Sequence, residues 1–345
     1  MGVDGILFYC KRISNKKKMT AIIILNWNGW RDTIDCITSL YQLEGVEFSL
    51  VVVDNGSTDE SVEKISSYIH ESGIQTVELN EGEVLTQPVK ERELVFYQLS
   101  KNYGFAKGNN LGLQLMSGQN VDYFWILNND TEVEPNSLKT LVDFMNNNGQ
   151  YRACTPQIRY FSDKKKIWNC GGKLCWGFRK YYYADYSNVV FNKDFFDITF
   201  VTGCALLIGK SSLEQDNTLF TERFFFGEED FELSMRWKEK EQKIACCTDS
   251  IIYHKVSAST QTRNELPKIF IHYLNRYINI KQHFGRLNYS FWKFVNNIWI
   301  FMLLIKKNYS AGRVISFLSK LNKESMQRDC VDYDYFINTL NGTVI

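Results

Sequence analysis

Hydrophobic and polar positions alternate in blocks along the first 150 residues. Thr20–Leu25 is a continuous apolar run that stops at Asn26-Trp27-Asn28-Gly29. Such a run predicts a strand buried on both faces. From Asp32 to Leu43, apolar residues recur at helical spacing, at Ile34, Ile37, Leu40 and Tyr41. Ser49–Val53 predicts a second buried strand, closed by the polar turn Asp54–Asp59, and a helix follows from Glu60 to about Glu71. Leu94–Leu99 is a weaker strand, Lys101–Asn109 a loop, and Leu111–Met116 the start of another helix. Asp122–Leu127 predicts a strand ending at Asn128-Asn129-Asp130, and Pro135–Asn147 a helix. Strands alternating with helices imply an α/β domain with a mostly parallel sheet. In such sheets ligands bind beyond the carboxyl ends of the strands. Three strand ends carry polar clusters, at Asn26, Asp54 and Asp130.

The pattern loosens afterwards. Residues 80–93 read as a polar inserted loop, and 151–200 as an aromatic, lysine-rich stretch turning at Gly171-Gly172. Val201–Ile208 returns to an apolar strand, Phe224–Glu239 to a helix that begins in acid, and Ile244–Tyr253 to a strand. Gly203 is a point of close backbone approach or a strand bulge.

Composition changes the picture in one place. The chain has 345 residues, 44% hydrophobic and 23% charged, an ordinary globular balance. Its net charge of +1 argues against a uniformly basic nucleic-acid binder. Residues 263–328, however, hold twelve Lys and Arg against two Glu. Trp292, Phe294, Trp299, Phe301 and Met302 sit among these cations, which reads either as an interfacial segment on an anionic leaflet or as helices packed on the catalytic part. No apolar stretch reaches the length of a membrane span. The N-terminus lacks the order of a signal peptide, so residues 1–18 are expected to be a disordered leader. Nine cysteines without a C-x-x-C pair read as buried thiols of a reducing cytosol.

Neither G-x-x-x-x-G-K-[ST] nor G-x-G-x-x-G follows the first strand, which argues against an ATPase and a nicotinamide dehydrogenase. A strand-end carboxylate such as Asp54 can still accept hydrogen bonds from a base or ribose, and Asp130 can hold a divalent ion that neutralises a diphosphate. The plainer readings are an Asx turn for Asp54, a turn or helix cap for Asp130 and a cap for Asp59. Glu228, Glu229, Asp230 and Glu232 would suit a helix N-terminus, but crowding them raises some of their pKa values.

Five segments occur in order: Ile22–Gly29, Val51–Asp59, Asn102–Gly112, Trp125–Thr131 and Gly227–Arg236. Together they resemble the family 2 glycosyltransferases of GT-A fold, nearest to the rhamnosyltransferase-like enzymes of bacterial surface polysaccharides, over about residues 20–260. The resemblance implies a mostly parallel central sheet flanked by helices, with residues 19–150 the nucleotide-binding half, 151–260 the acceptor half and 261–345 a helical extension. It places Asn26, Asn28, Asp54, Asn102, Gly104, Asn109 and Asn129 about a nucleotide-sugar donor. Asn128-Asn129-Asp130 stands where the family has its D-x-D metal motif, with Asn for the first Asp. Asp130 and His254 would then hold Mg2+ or Mn2+, and Asp230, with Glu229 second, would be the catalytic base.

The implied reaction is an inverting transfer to a hydroxyl of a glycan, carried on a polyprenyl lipid at the inner face of the plasma membrane. A sugar-phosphate nucleotidyltransferase and a carbohydrate-binding domain without catalysis are the alternatives. Trp27 and Trp30 are candidates for stacking or for the core, and Arg236 for a salt bridge with the acids or a donor phosphate.

Overall fold

The computed structural model describes residues 18–214, 216–256 and 265–342. All of the expected leader but Lys18, which pairs with Asp122, therefore lies outside the described residues. In chain order the first half runs β1 (Met19–Asn26), α1 (Trp30–Leu40), β2 (Glu47–Asp54), α2 (Ser61–Ser72), β3 (Thr76–Asn80), β4 (Leu94–Gln98), α3 (Phe105–Ser117), β5 (Tyr123–Asn128), β6 (Thr131–Val133) and α4 (Ser137–Asn147). The second half runs β7 (Tyr151–Tyr160), β8 (Ile167–Asn169), β9 (Gly172–Cys175), β10 (Phe178–Tyr181), β11 (Phe195–Ile198), β12 (Ala205–Gly209), α5 (Glu229–Glu239) and β13 (Lys243–His254). Four helices close the described chain: α6 (Glu265–His283), α7 (Arg286–Lys306), α8 (Ala311–Gln327) and α9 (Tyr333–Leu340).

The central sheet has the order β11-β13-β7-β12-β5-β1-β2-β4-β3, with β6 on β13 and β8 on β7. β1 pairs in parallel with β2 and β5, β4 in parallel with β2 and β3, and β13 in parallel with β7. β12 runs against both β5 and β7. The apolar runs fill two cores, one on each face of the sheet, as expected for strands buried on both sides. A third core joins Phe200, Phe231 and Met235 to Phe270, Leu274, Trp292 and Phe317 of the C-terminal helices. This α/β architecture, with helices flanking a mostly parallel sheet and closing the C-terminal end, is the one expected.

Several local expectations change. Lys101–Asn109 is not all loop, since α3 begins at Phe105. Its glycines and asparagines are weak helix formers. The glycines are required because α3 lies against the sheet: a Cβ on Gly108 would stand 2.5 Å from Leu25 Cδ1, and one on Gly112 2.9 Å from Ile23 and Val53 methyls. Gly104, at φ +85°, turns the chain into α3 where a Cβ would fall 2.0 Å from the Phe225 carbonyl oxygen. Strand β12 starts at Ala205, and Val201–Cys204 are a connector instead of the strand's first half. Helix α5 starts at Glu229, because Phe225 is pinned outside it by Phe105 N and by Val331 O. Strands β3 and β7 carry too many polar side chains to announce themselves.

The cysteines expected to be buried include Cys36, Cys154, Cys170, Cys204, Cys246 and Cys247, all free thiols, while Cys175 and Cys330 are exposed. The aromatic C-terminal segment divides. Trp292 packs inward, whereas Phe294, Trp299 and Met302 are exposed.

Candidate functional site

Register builds the site's floor. Asn26 at the end of β1 lies opposite Asp54 at the end of β2, and Leu25 lies opposite Asn128 at the end of β5. All three strand ends therefore open on one edge of the sheet. Asn26 is fully buried and its amide is spent on the scaffold: Nδ2 donates to Asp54 Oδ2 at 2.7 Å, and Oδ1 accepts from Thr33 Oγ1 at 2.8 Å. Asp54 is 1% exposed. Its carboxylate accepts from Ser57 N at 2.9 Å and Ser57 Oγ at 2.7 Å, the Asx-turn arrangement. The polar surface on this edge belongs instead to Asn28, whose Oδ1 accepts from Thr58 N at 2.8 Å, and to Thr58 and Asp59. Asp59 also accepts from Ser61 N at 2.9 Å, at the start of α2.

A second wall comes from the segment before α3. Asn102 Oδ1 accepts from Asn55 Nδ2 at 2.9 Å and from Gly104 N at 2.8 Å. Asn55, which sequence reasoning left out, also accepts from Tyr103 N at 3.0 Å. It sits beside Asp54 and ties this wall to β2. Asn109 Nδ2 donates to Phe105 O at 2.9 Å, and its buried Oδ1 has no partner among the described residues. Asn129 turns away, with Nδ2 donating to Thr33 Oγ1 at 3.0 Å.

Asp130 and His254 meet. β6 pairs with the end of β13, so His254 stands opposite Thr131. His254 Nε2 lies 3.0 Å from Asp130 Oδ1. Trp168 holds the imidazole edge-on at 4.5 Å. The buried Nδ1 of His254 has no partner among the described residues. The pair fits a divalent ion. Two adjacent ligands of an octahedral ion with bonds of about 2.1 Å stand about 3 Å apart. No group of three or more His, Cys, Asp or Glu that could hold a metal occurs among the described residues. Such an ion would complete its shell with water or phosphate oxygens, as Mg2+ commonly does.

The acids of α5 stand on an element tied to β5. Residues 201–204 link it to the floor: Cys204 O accepts from Asn128 N at 2.8 Å, while Val201 N donates to Ser234 Oγ at 3.1 Å, which in turn donates to Asp230 O at 2.7 Å. Gly203 lies against the Phe105 ring, and Phe105 N donates to Phe225 O at 3.2 Å. The connector 201–204 thus ties the first turn of α5 to the end of β5.

The turn before α5 is held by α6. Asn275 Nδ2 donates to Phe226 O and Gly227 O, both at 3.1 Å, and Asn279 Nδ2 to Glu228 O at 3.1 Å. Glu228, in a left-handed conformation at φ +74°, forms a buried bidentate pair with Arg276. Arg179 of β10 stands 3.9 Å from Glu228 and 3.8 Å from Asp230. Arg179 and Arg276 were not recognised in the sequence, because nothing there brings β10 or α6 to the acids. Arg236 pairs with Glu232 and Glu214 instead of the three leading acids. Trp27 is exposed beside Asn28, while Trp30 packs partly on the core.

Crowding sets the acids apart. Burial pushes Glu228 up, but Arg276 overrides it and holds the carboxyl at about 2. Burial, then the charges of Asp230 and Glu228, drive Glu229 up to about 8. Burial also raises Asp230, against the opposing pull of Arg179. Asp230 keeps 21% of its side chain accessible. Glu229 is thus held toward its protonated form at neutral pH, while Asp230, faced by Arg179, keeps part of its carboxyl open to a reactant.

Glu229 also makes a stability prediction. Its folded pKa is raised from 4.5, so the folded state holds that proton more tightly. The contribution is full below about pH 4.5 and is lost as pH rises through 8, at ~1.4 kcal/mol per pH unit. Glu229→Gln is expected to lose less stability than the parent chain between pH 6 and pH 9 in urea melts. Equal losses would reject the raised pKa.

A family model described as glycosyl transferase family 2 matches residues 21–216. No curated protein matches the chain significantly. Solved structures do. GalNAc-T7 with UDP, GalNAc and Mn2+ aligns with a TM-score of 0.57 at 14% identity, over 94% of this chain and 56% of that one. The mannosyltransferase PcManGT from Pyrobaculum calidifontis, in complex with GDP-Man and Mn2+, aligns at 0.51 and 11%, over 95% and 74%. S. aureus TarS 1-349 aligns at 0.48 and 15%, over 76% and 65%. The chain thus spans 65% of the TarS structure and 56% of the GalNAc-T7 structure. At such identities the likeness is one of fold.

Proposed function

The chain belongs to glycosyl transferase family 2, and from that premise we propose that it is an inverting glycosyltransferase moving a hexose, rhamnose first among the candidates, from a nucleoside diphosphate to a hydroxyl of a lipid-linked glycan. Two built features support this reading, on elements tied together by the connector 201–204. One is the Asp130–His254 pair, and the other is Asp230, partly accessible and faced by Arg179.

In the proposed step Asp230 accepts the proton of the acceptor hydroxyl while that oxygen attacks the anomeric carbon. The bond from the anomeric carbon to the diphosphate breaks, the nucleotide leaves with the electron pair, and the configuration inverts. Glu229, protonated at neutral pH, does not compete for the role. Arg179 holds the Asp230 carboxylate and favours its charged form. Asp130 and His254 would hold Mg2+ or Mn2+, whose charge favours departure of the diphosphate. The exposed polar atoms at Asn28 and Thr58 are the nearest surface for the nucleoside. Asp54 acts behind them by fixing Ser57. UDP and GDP-Man in the two Mn2+-containing neighbours put UDP- and GDP-sugars beside the dTDP-sugars among the donors to try.

The test is a thermal-shift screen of UDP-, dTDP- and GDP-sugars with Mn2+, followed by a turnover assay on a lipid extract that carries polyprenyl-linked glycans. One donor is expected to raise Tm by a few degrees in a metal-dependent way and to release its nucleotide when the extract is added. No shift with any donor would reject the reading. A shift without turnover would favour a carbohydrate-binding domain.

A further inference from the structure

Helix α7 is apolar on two opposite faces, and among the described residues only one of them is buried in a core. Tyr289, Trp292, Asn296, Ile300 and Leu304 are buried, with the apolar ones in the C-terminal core. On the other side Leu287, Phe291, Phe294, Ile298, Met302 and Ile305 follow steps of four, three, four, four and three residues. These steps place them in one stripe along the helix. The stripe is open to solvent: Leu287 is 86% exposed, Phe291 and Phe294 62% each, and Met302 55%. Trp299, 54% exposed, borders it. A continuous stripe of large exposed apolar side chains is not an ordinary surface.

We infer that this outer face of α7 lies in the interface of an anionic lipid bilayer. Charge selects that occupant. Helix α7 contains no acidic residue, and exposed Arg286, Lys306 and Arg313 flank the stripe at its two ends. An apolar stripe with cations at its margins suits acyl chains below and anionic headgroups beside it. Trp299 at the border suits the headgroup level. The helix lies on the surface in this arrangement and does not cross, since no helix among the described residues is long and apolar enough to span a membrane.

The same face is joined to the candidate site. Trp176, at the tip of the β9–β10 hairpin, is 37% exposed and lies 5.4 Å from the Phe291 ring. Three residues further along the hairpin, Arg179 reaches Asp230. Docking α7 would therefore set the hairpin that carries Arg179 against the bilayer, on the side from which a lipid-linked acceptor arrives. The acceptor's nature rests on the function proposed above, whereas docking does not.

The experiment is co-sedimentation with vesicles of equal parts phosphatidylglycerol and phosphatidylcholine, which needs no turnover. Binding is expected to these vesicles, and to weaken strongly on pure phosphatidylcholine and at high salt. Phe294→Gln combined with Met302→Gln is expected to lower the partition coefficient at least about tenfold with the melting temperature unchanged. Leu287→Gln combined with Ile298→Gln serves as a second pair should the first fail to fold. Vesicle binding that neither pair weakens would overturn the inference. So would light scattering that shows a dimer of the parent chain, made monomeric by the variants, since a second copy would then cover the stripe.

Discussion

Asp230→Asn is expected to lower kcat about 10³-fold while the donor still shifts the melting temperature. A positioned general base contributes on the order of 10²–10⁴ in rate. Asparagine keeps the size and a hydrogen-bonding oxygen toward Arg179 but takes up no proton. The neighbouring Glu229 offers no substitute near pH 7, because its own carboxyl is neutral there. The pH profile makes the assignment sharper. In the parent enzyme activity should fall as pH drops through the pKa of Asp230, which burial has raised above the ordinary carboxylate value. Arg179 opposes that rise from 3.8 Å. Arg179→Gln is therefore expected to move the acid limb to higher pH by about one unit, the direction set by removing a stabilising positive charge. Full turnover in Asp230→Asn would remove this residue from the mechanism.

Asp130→Ala should cost comparably, for a different reason. With Asp130 gone, His254 remains as a single ligand against Trp168, and one imidazole is a poor site for Mg2+ or Mn2+. The expected result is loss of the Mn2+-dependent part of donor binding and a fall in kcat/KM of about 10²-fold or more. Chelation with EDTA should bring the parent enzyme to the same level and leave the variant unchanged. A variant whose nucleotide-dependent melting shift still titrates with Mn2+ as the parent's does would show that the ion sits elsewhere.

Much of the fold was legible. Thr20–Leu25, Ser49–Val53 and Asp122–Leu127 are apolar without interruption, and only burial on both faces of a sheet accounts for that. Their polar ends followed directly, because a parallel sheet delivers successive strand ends to one edge. The failures have a common cause. Phe105–Asn109 reads as loop among its neighbouring glycines and asparagines, yet Gly108 and Gly112 are there because α3 packs closely on β1 and β2. β3, at the sheet's edge, owes its place to partners in the sheet instead of its own pattern.

The site divides in the same way. Sequence by itself picked out the candidate residues, since carboxylates at strand and helix ends are recognisable in one dimension. Only the tertiary structure decided their states and neighbours. It showed that Asp54 and Asn26 are consumed in the scaffold, that Asp130 meets His254 and that burial and two acidic neighbours push Glu229 up. It also supplied Arg179 and Arg276 from segments with no local signature. The physical reason is range. Backbone preference and hydrophobic period act between residues a few positions apart. Desolvation and charge pairing depend on what the folded chain brings within about 4 Å, which no local pattern encodes.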